Sequence, residues 1–185
     1  MLIYECRQAR DPRVPVRILR KGRKSMVDLK KLTEKNIWAL LELKVAKEQE
    51  NYVATNVQSI AEAYLTLADG GRVFPFGIFD GEQPVGFLMI GYGCDGEQDE
   101  YPKIAENNYC LWRLMIDSRF QGRGYGREAI RLALDFIRTW PCGKAEYCYL
   151  GYEPENAVAK RLYNSMGFYE NGELDGDEIV AVKKL

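Results

Sequence analysis

The residues with the clearest chemical content lie between Leu111 and Arg127. An apolar run, Leu111-Trp112-Arg113-Leu114-Met115-Ile116, leads through Asp117-Ser118-Arg119-Phe120 into Gln121-Gly122-Arg123-Gly124-Tyr125-Gly126-Arg127. Glycine at every second position leaves a loop with little side-chain bulk. Beyond it Ala129, Ile130, Ala133, Leu134 and Ile137 recur at helical spacing. A buried strand, a glycine-rich loop and a helix start, in that order, make a cradle for phosphate. Outward-pointing N–H groups gather at the helix N-terminus, where the dipole favours an anion.

Three readings of the cradle compete. A dinucleotide loop has the pattern G-x-G-x-x-G, whereas Gly126 comes one residue early for it. A P-loop ends in Gly-Lys-Ser or Gly-Lys-Thr, whereas Gly126 is followed by Arg127 and Glu128. A glycine-rich turn without any ligand is the third.

The string Gln121-Gly122-Arg123-Gly124-Tyr125-Gly126 resembles the acetyl-CoA loop of the GNAT superfamily of N-acetyltransferases, Gln/Arg-x-x-Gly-x-Gly/Ala. A second string, Asn156-Ala157-Val158-Ala159-Lys160-Arg161-Leu162-Tyr163-Asn164-Ser165-Met166-Gly167-Phe168, is similar to that superfamily's second CoA-contacting segment, Asn-x-x-Ala-x-x-Leu-Tyr-x-x-x-Gly-Phe. The two stand in the superfamily's order, and the resemblance runs from Met26 to the C-terminus. Four further stretches resemble the bacterial spermine/spermidine (diamine) acetyltransferases: Leu43–Asn56, Arg113–Asp117, Tyr152–Asn156 and Asp175–Val180.

The resemblance implies an α/β chain with the GNAT fold: a mixed, mostly antiparallel central sheet, splayed between its fourth and fifth strands and flanked by helices. Acetyl-CoA is then the co-substrate. The backbone of Leu114, Met115 and Ile116 would pair with its pantetheine arm. The N–H groups of Gln121, Gly122, Arg123, Gly124, Tyr125 and Gly126 would hold its pyrophosphate. An added Cβ at Gly124 or Gly126 would push the phosphate away. Asn156 and Lys160 would contact the co-substrate, unless Asn156 simply caps its own helix. Glu48, Tyr52 and Glu153 would border the acceptor, although a polar helix end explains the first two equally. GNAT proteins are frequently homodimers.

The implied reaction is attack of an amine on a thioester. An amine with a pKa near 10.4 is neutral in only about one part in a few thousand at pH 7, a cost of roughly 4–5 kcal/mol. Something must take that proton, and the chain has no histidine. A carboxylate, a tyrosine or a water chain remains. Some superfamily members carry a glutamate six residues before the position of Ile116; here that residue is Cys110. Glu153, at the end of the fifth strand, is the substitute, against the plain reading of an exposed loop acid. Tyr163 matches the superfamily's tyrosine acid, which protonates the leaving thiolate; the plain reading is a core tyrosine. A main-chain N–H near Met115 would meet the oxyanion.

These groups need a frame. Val27–Leu32 reads as a first strand. Thr33 reads as the N-cap of a helix carrying Ile37, Trp38, Leu40, Leu41 and Val45. Ser59-Ile60-Ala61-Glu62 has the form of a capping box, and Gly70-Gly71 ends the helix that follows. Arg72–Phe79 and Pro84–Tyr92 read as a hairpin, with Pro75 suggesting an edge. Gly93–Asn108 is a loop rich in acid (Asp95, Glu97, Asp99, Glu100, Glu106), either merely solvated or placed to hold a second ammonium. Ala145–Leu150 is the fifth strand, Asn156–Met166 a helix ended by Gly167, and Phe168–Glu173 with Glu178–Lys183 a closing hairpin.

The totals limit the remaining possibilities. A chain of 185 residues is one domain by default. No stretch is apolar enough to span a bilayer or to act as a secretory signal. Five cysteines without a C-x-x-C pair indicate neither a disulfide framework nor a metal site, and fit a reducing cytoplasm. Residues 1–25 carry eight basic and two acidic residues, leaving 18 basic and 25 acidic residues, a net −7, on 26–185. The acidic body suits a small cationic amine and repels nucleic acid. The basic extension reads as sequence upstream of a true start at Met26, or as a disordered arm. Such an arm would make a non-enzymatic, CoA-responsive module that touches nucleic acid conceivable. A chain beginning at Met26 is expected to keep the acetyl-transfer rate of the full chain. A rate comparison of the two proteins checks this.

Overall fold

The computed structural model describes residues 27–93 and 101–185. Seven strands form one sheet: β1 (Val27–Lys31), β2 (Arg72–Asp80), β3 (Gln83–Tyr92), β4 (Tyr109–Ile116), β5 (Tyr147–Tyr152), β6 (Tyr169–Asp175) and β7 (Glu178–Lys184). Four α-helices flank it: α1 (Ile37–Leu41), α2 (Asn56–Ala68), α3 (Tyr125–Ile137) and α4 (Ala157–Ser165). The strand order is β1-β2-β3-β4-β5-β7-β6. Every neighbouring pair is antiparallel except β4–β5, which is parallel.

Both faces of the sheet are covered, and the sequence of β3 shows it. Val85 to Ile90 are all buried, with no polar residue among them. A strand covered on one face only would alternate. Leu88 and Ile90 join Leu111, Ile130, Ala133 and Ile137 under α3 and α4. Phe87 and Met89 join Leu40, Ala63 and Met115 under α1 and α2. Each such leucine, fully buried, contributes about 1.5–3 kcal/mol.

The feature that makes a site is the brevity of the β4–β5 pairing. Only Tyr109 with Cys148 and Cys110 with Tyr149 are matched. Just beyond, Ile90 pairs with Leu111 but Met89 with Arg113, so Trp112 is an extra residue on β4. A bulge of this kind bends a strand and increases its twist. β4 therefore leaves β5 and stays with β3 as far as the pair of Gly86 and Ile116. The expected splay between the fourth and fifth strands is present.

Two local expectations are corrected. The helix begun at Thr33 and carried to Val45 is only α1, with Asn36 in the N-cap position. The Thr33 N–H donates to Asn36 Oδ1 at 2.8 Å. The helix stops because Lys44 is engaged elsewhere: its N–H donates to Asp117 Oδ2 at 3.1 Å, and its carbonyl accepts from the Ser118 N–H at 2.9 Å. Trp38, expected on the apolar face, is 73% exposed. The capping box at Ser59 is also not one. The helix starts four residues earlier, where the Thr55 side chain accepts from the Gln58 N–H at 3.2 Å. Ser59 is buried inside α2, and its hydroxyl has no partner.

Pro75 lies in an interior strand, but just past the reach of β1, which ends opposite Phe76. Its missing N–H costs no rung there. The fifth strand runs two residues later than expected, to Tyr152. The closing hairpin forms, with β7 inserted against β5 and β6 on the outside. The basic extension with Met26, and Asp95, Glu97, Asp99 and Glu100 of the acidic loop, lie outside the described residues. No helix among the described residues is long and apolar enough to cross a membrane.

Thr55→Ala is expected to destabilise the fold by about 1 kcal/mol through loss of the cap. Ser59→Ala, which removes a buried unpaired hydroxyl, is expected to be neutral or stabilising. Urea unfolding of both variants checks the assignment of the helix start.

Candidate active site

Where β4 and β5 part, a cavity of about 640 Å³ opens, a size suited to a small-molecule ligand. Its walls are β4 from Leu111 to Ile116, the end of β5, the glycine loop and α4. The expected pantetheine-pairing residues Leu114, Met115 and Ile116 thus face it.

The loop has the conformation its composition suggests. Gly122 (φ +74°) and Gly124 (φ +86°) are left-handed, where a side chain would be strained. Gly124 is the N-cap of α3. A Cβ on either would meet nothing within 4 Å, so the space above them is open to a ligand. Gly126 also lines the cavity but is glycine for a different reason. A Cβ there would lie 3.3 Å from Leu162 and 3.8 Å from Ile116. Close packing of α3 on α4 therefore favours glycine there independently of any phosphate.

Buried Asp117 shapes the approach to the loop. It accepts from the Arg119 N–H at 3.0 Å and from the Arg119 guanidinium at 2.7 and 3.0 Å. Arg119, together with the Lys44 N–H, holds its carboxyl below the usual carboxylate range. Gln121 Nε2 donates to the Ile116 carbonyl at 2.9 Å and to Gln49 Oε1 at 2.8 Å. The loop is thereby tied to the segment after α1. Tyr125 is anchored through its hydroxyl to Asp80, at 2.6 Å.

Two expected contacts, Lys160 and Glu48, are not brought in. The Arg123 side chain is exposed and donates to the Arg119 carbonyl at 2.9 Å, which does not involve its main-chain N–H, the group expected at the pyrophosphate. Lys160 is turned to Glu170, at 2.7 Å, away from the cavity. Glu48 is exposed and also outside the lining. The wall expected there is built by the residues just after it, Gln49 to Ala54, with Tyr52 among them. Asn156 has both of its alternative roles open to it: it accepts from the Ala159 N–H at 3.0 Å as the cap of α4, and it borders the cavity.

Tyr163 projects from α4 between Tyr152 and Phe168, with ring centroids 5.9 and 6.1 Å away. It is buried and borders the cavity. Burial pushes its phenol pKa well up, and Glu178 and Cys110 add to the rise. The hydroxyl thus keeps its proton throughout the neutral range. Cys110, where some relatives hold a glutamate, sits on the last paired rung of β4, and burial pushes its thiol far up. It is neither ionised nor a base.

Glu153 borders the cavity at the end of β5. Its counterpart escaped the sequence reading. Tyr152 pairs with Ile179 on the last rung of β5 and β7, and the chain neighbours just beyond it, Glu153 and Glu178, come near enough that the Glu153 charge acts on Glu178. The Glu178 side chain lies over Gly151: a Cβ on that glycine would stand 3.2 Å from the Glu178 carboxyl carbon. Burial raises the Glu178 pKa, Asp175 and Glu153 raise it further, and Arg113 opposes them. Arg113, also missed, donates to Glu62 at 3.0 Å while its Nε is buried without a partner. Glu178 stood in the Asp175–Val180 stretch, but its place depends on β7 entering between β5 and β6. Chain order does not show that.

Residues 37–168 match the Acetyltransferase (GNAT) family. The chain is 32% identical over 162 residues to the spermine/spermidine N(1)-acetyltransferase of Bacillus subtilis (strain 168), covering 86% of this chain and 99% of that protein. The PaiA N-acetyltransferase of Thermoplasma acidophilum, solved with coenzyme A, superposes with a TM-score of 0.61 at 15% identity, over 86% of this chain and 99% of that one. An aminoglycoside acetyltransferase, also solved with coenzyme A, gives 0.66 at 20% identity, over 85% and 94%. The open glycines, the split sheet and the family match agree: the chain belongs to the GNAT family and is an acetyl-CoA-dependent N-acetyltransferase.

Proposed function

We propose that the acceptor is a polyamine or diamine, spermine and spermidine foremost, acetylated by direct attack within a ternary complex. The observation that carries this reading is the pair of neighbouring carboxylates, Glu153 and Glu178, lining the same cavity as the glycine loop. Like charges on adjacent strands destabilise a sheet unless a cation comes between them. A primary ammonium is such a cation. The identity to a spermine/spermidine acetyltransferase over nearly its whole length supports the same choice.

Acetyl-CoA is the second substrate. Main-chain N–H groups of the loop from Gln121 to Gly126 take its pyrophosphate, and the unpaired edge of β4 takes its pantetheine arm. An N–H near Met115 meets the oxyanion as the amine adds. Tyr163 supplies the proton to the departing thiolate. Burial keeps its hydroxyl protonated at neutral pH, so the proton is in place when the sulfur departs. Glu153 and Tyr52 border the space for the acceptor.

A panel of spermidine, spermine, a short diamine, a peptide α-amine and an aminoglycoside, ranked by CoA thiol release, checks the acceptor. The polyamines are expected to be fastest; a faster peptide or aminoglycoside would overturn the assignment. Tyr163→Phe is expected to lower kcat on the order of 100-fold with little change in acetyl-CoA affinity by calorimetry.

A further inference from the structure

We infer that the Glu178 carboxylate is the base that takes the proton from the acceptor ammonium, while Glu153 beside it supplies the charge that holds that ammonium. The inference rests on the amine-acceptor reading above. It starts from a face of the sheet. Leu150 and Tyr152 pack with Tyr163 under α3 and α4, so the alternating residues Gly151 and Glu153 point to the other face. Val180 and Val182 pack on Tyr149 on that same other face, which puts Glu178 there too. The Arg113–Glu62 pair reaches over from α2 on this side. Tyr163 and Glu178 therefore approach the split from opposite faces and both border the one cavity. An acid for the leaving sulfur and a base for the arriving nitrogen need that opposition.

The groups facing Glu178 are Glu153 from β5, Asp175 from β6, Arg113 from β4 and Tyr163 from α4. Among the described residues none forms an ion pair with it, and the cation in that group, Arg113, is already bonded to Glu62. A partly buried carboxylate without a counter-ion has capacity for a proton. The rise in its pKa brings it nearer to the amine's own and improves it as an acceptor. Gly151 is what lets the carboxylate lie against β5, since any Cβ there would collide with the Glu178 side chain. Cys110 offers no competing base, because burial holds its thiol protonated.

The step balances. One N–H bond of the ammonium breaks and an O–H bond forms on Glu178. The neutral nitrogen adds to the thioester carbonyl carbon, forming C–N. The C–S bond breaks, its electron pair leaves on sulfur, and sulfur takes the Tyr163 proton. The second proton shed by nitrogen restores Tyr163, and the proton on Glu178 passes to solvent. Ammonium plus thioester gives amide, thiol and one released proton.

The test compares two acceptors. Spermidine is charged at assay pH; trifluoroethylamine is already mostly neutral and needs no base for its first proton. Glu178→Gln, close in shape, is expected to lose about 100-fold or more in kcat with spermidine and far less with trifluoroethylamine, at unchanged coenzyme A affinity. Glu153→Gln is expected to raise the spermidine KM by a larger factor than it lowers kcat. Equal losses for both amines, or full activity of Glu178→Gln, would overturn the assignment. Should Glu178→Gln lose coenzyme A affinity, Glu178→Asp, which keeps the charge but shortens its reach, supplies the same comparison. Wild-type protein that acetylates no amine would remove the acceptor reading itself, a result distinct from any variant's.

Discussion

A β-sheet strand that stops pairing halfway leaves main-chain N–H and C=O groups that need other partners. This is the constraint on which the protein is built. β4 and β5 share two rungs and then separate, yet each remains fully paired on its far side, with β3 and with β7. The opening is therefore stiff. Ligand main-chain-like groups can replace water there without deforming the sheet, and a ligand that binds so must be narrow and extended. The Trp112 bulge that parts the strands also delivers Arg113 to α2 and keeps Leu111 and Leu114 in the α3/α4 core.

The second element is the coupling of loop to wall. Asp117 is buried and bonded at once to Arg119 and to the Lys44 N–H, 73 residues away in sequence. Gln121 joins the same wall through Gln49. The cradle and the acceptor side are thus braced against one another, so ordering one side by binding removes freedom from the other. Hydrogen bonds to a buried carboxylate are among the stronger kind, about 1.5–3 kcal/mol each. Asp117 stability is present at neutral pH and fades only as pH falls through its lowered pKa.

What the sequence made legible was local. The glycine loop, its strand and its helix are contiguous, and their order alone gives the cradle; Gly70 and Gly167 take the left-handed turns that their places at helix C-termini imply. The splayed sheet came from the resemblance, which the two motif strings carry. Misreadings arose where a distant partner decides. Val45 could not be seen to lie outside α1, because what ends that helix is Asp117. Ser59 and Thr55 are equally good caps on paper, and only the packing of α2 buries one of them. Lys160 fell within a motif string, but Glu170 holds it elsewhere. Glu178 became visible only when β7 was found beside β5.

The central claim is that main-chain amides of the loop grip a diphosphate beside the opened strands. Amide NMR during titration with coenzyme A reads this most directly. The account predicts the largest shifts at Gly122, Gly124 and Gly126, accompanied by the β4 residues Leu114 to Ile116, with pantetheine alone moving only the latter group. Shifts confined to other parts of the chain, or none on saturation with coenzyme A, would contradict it.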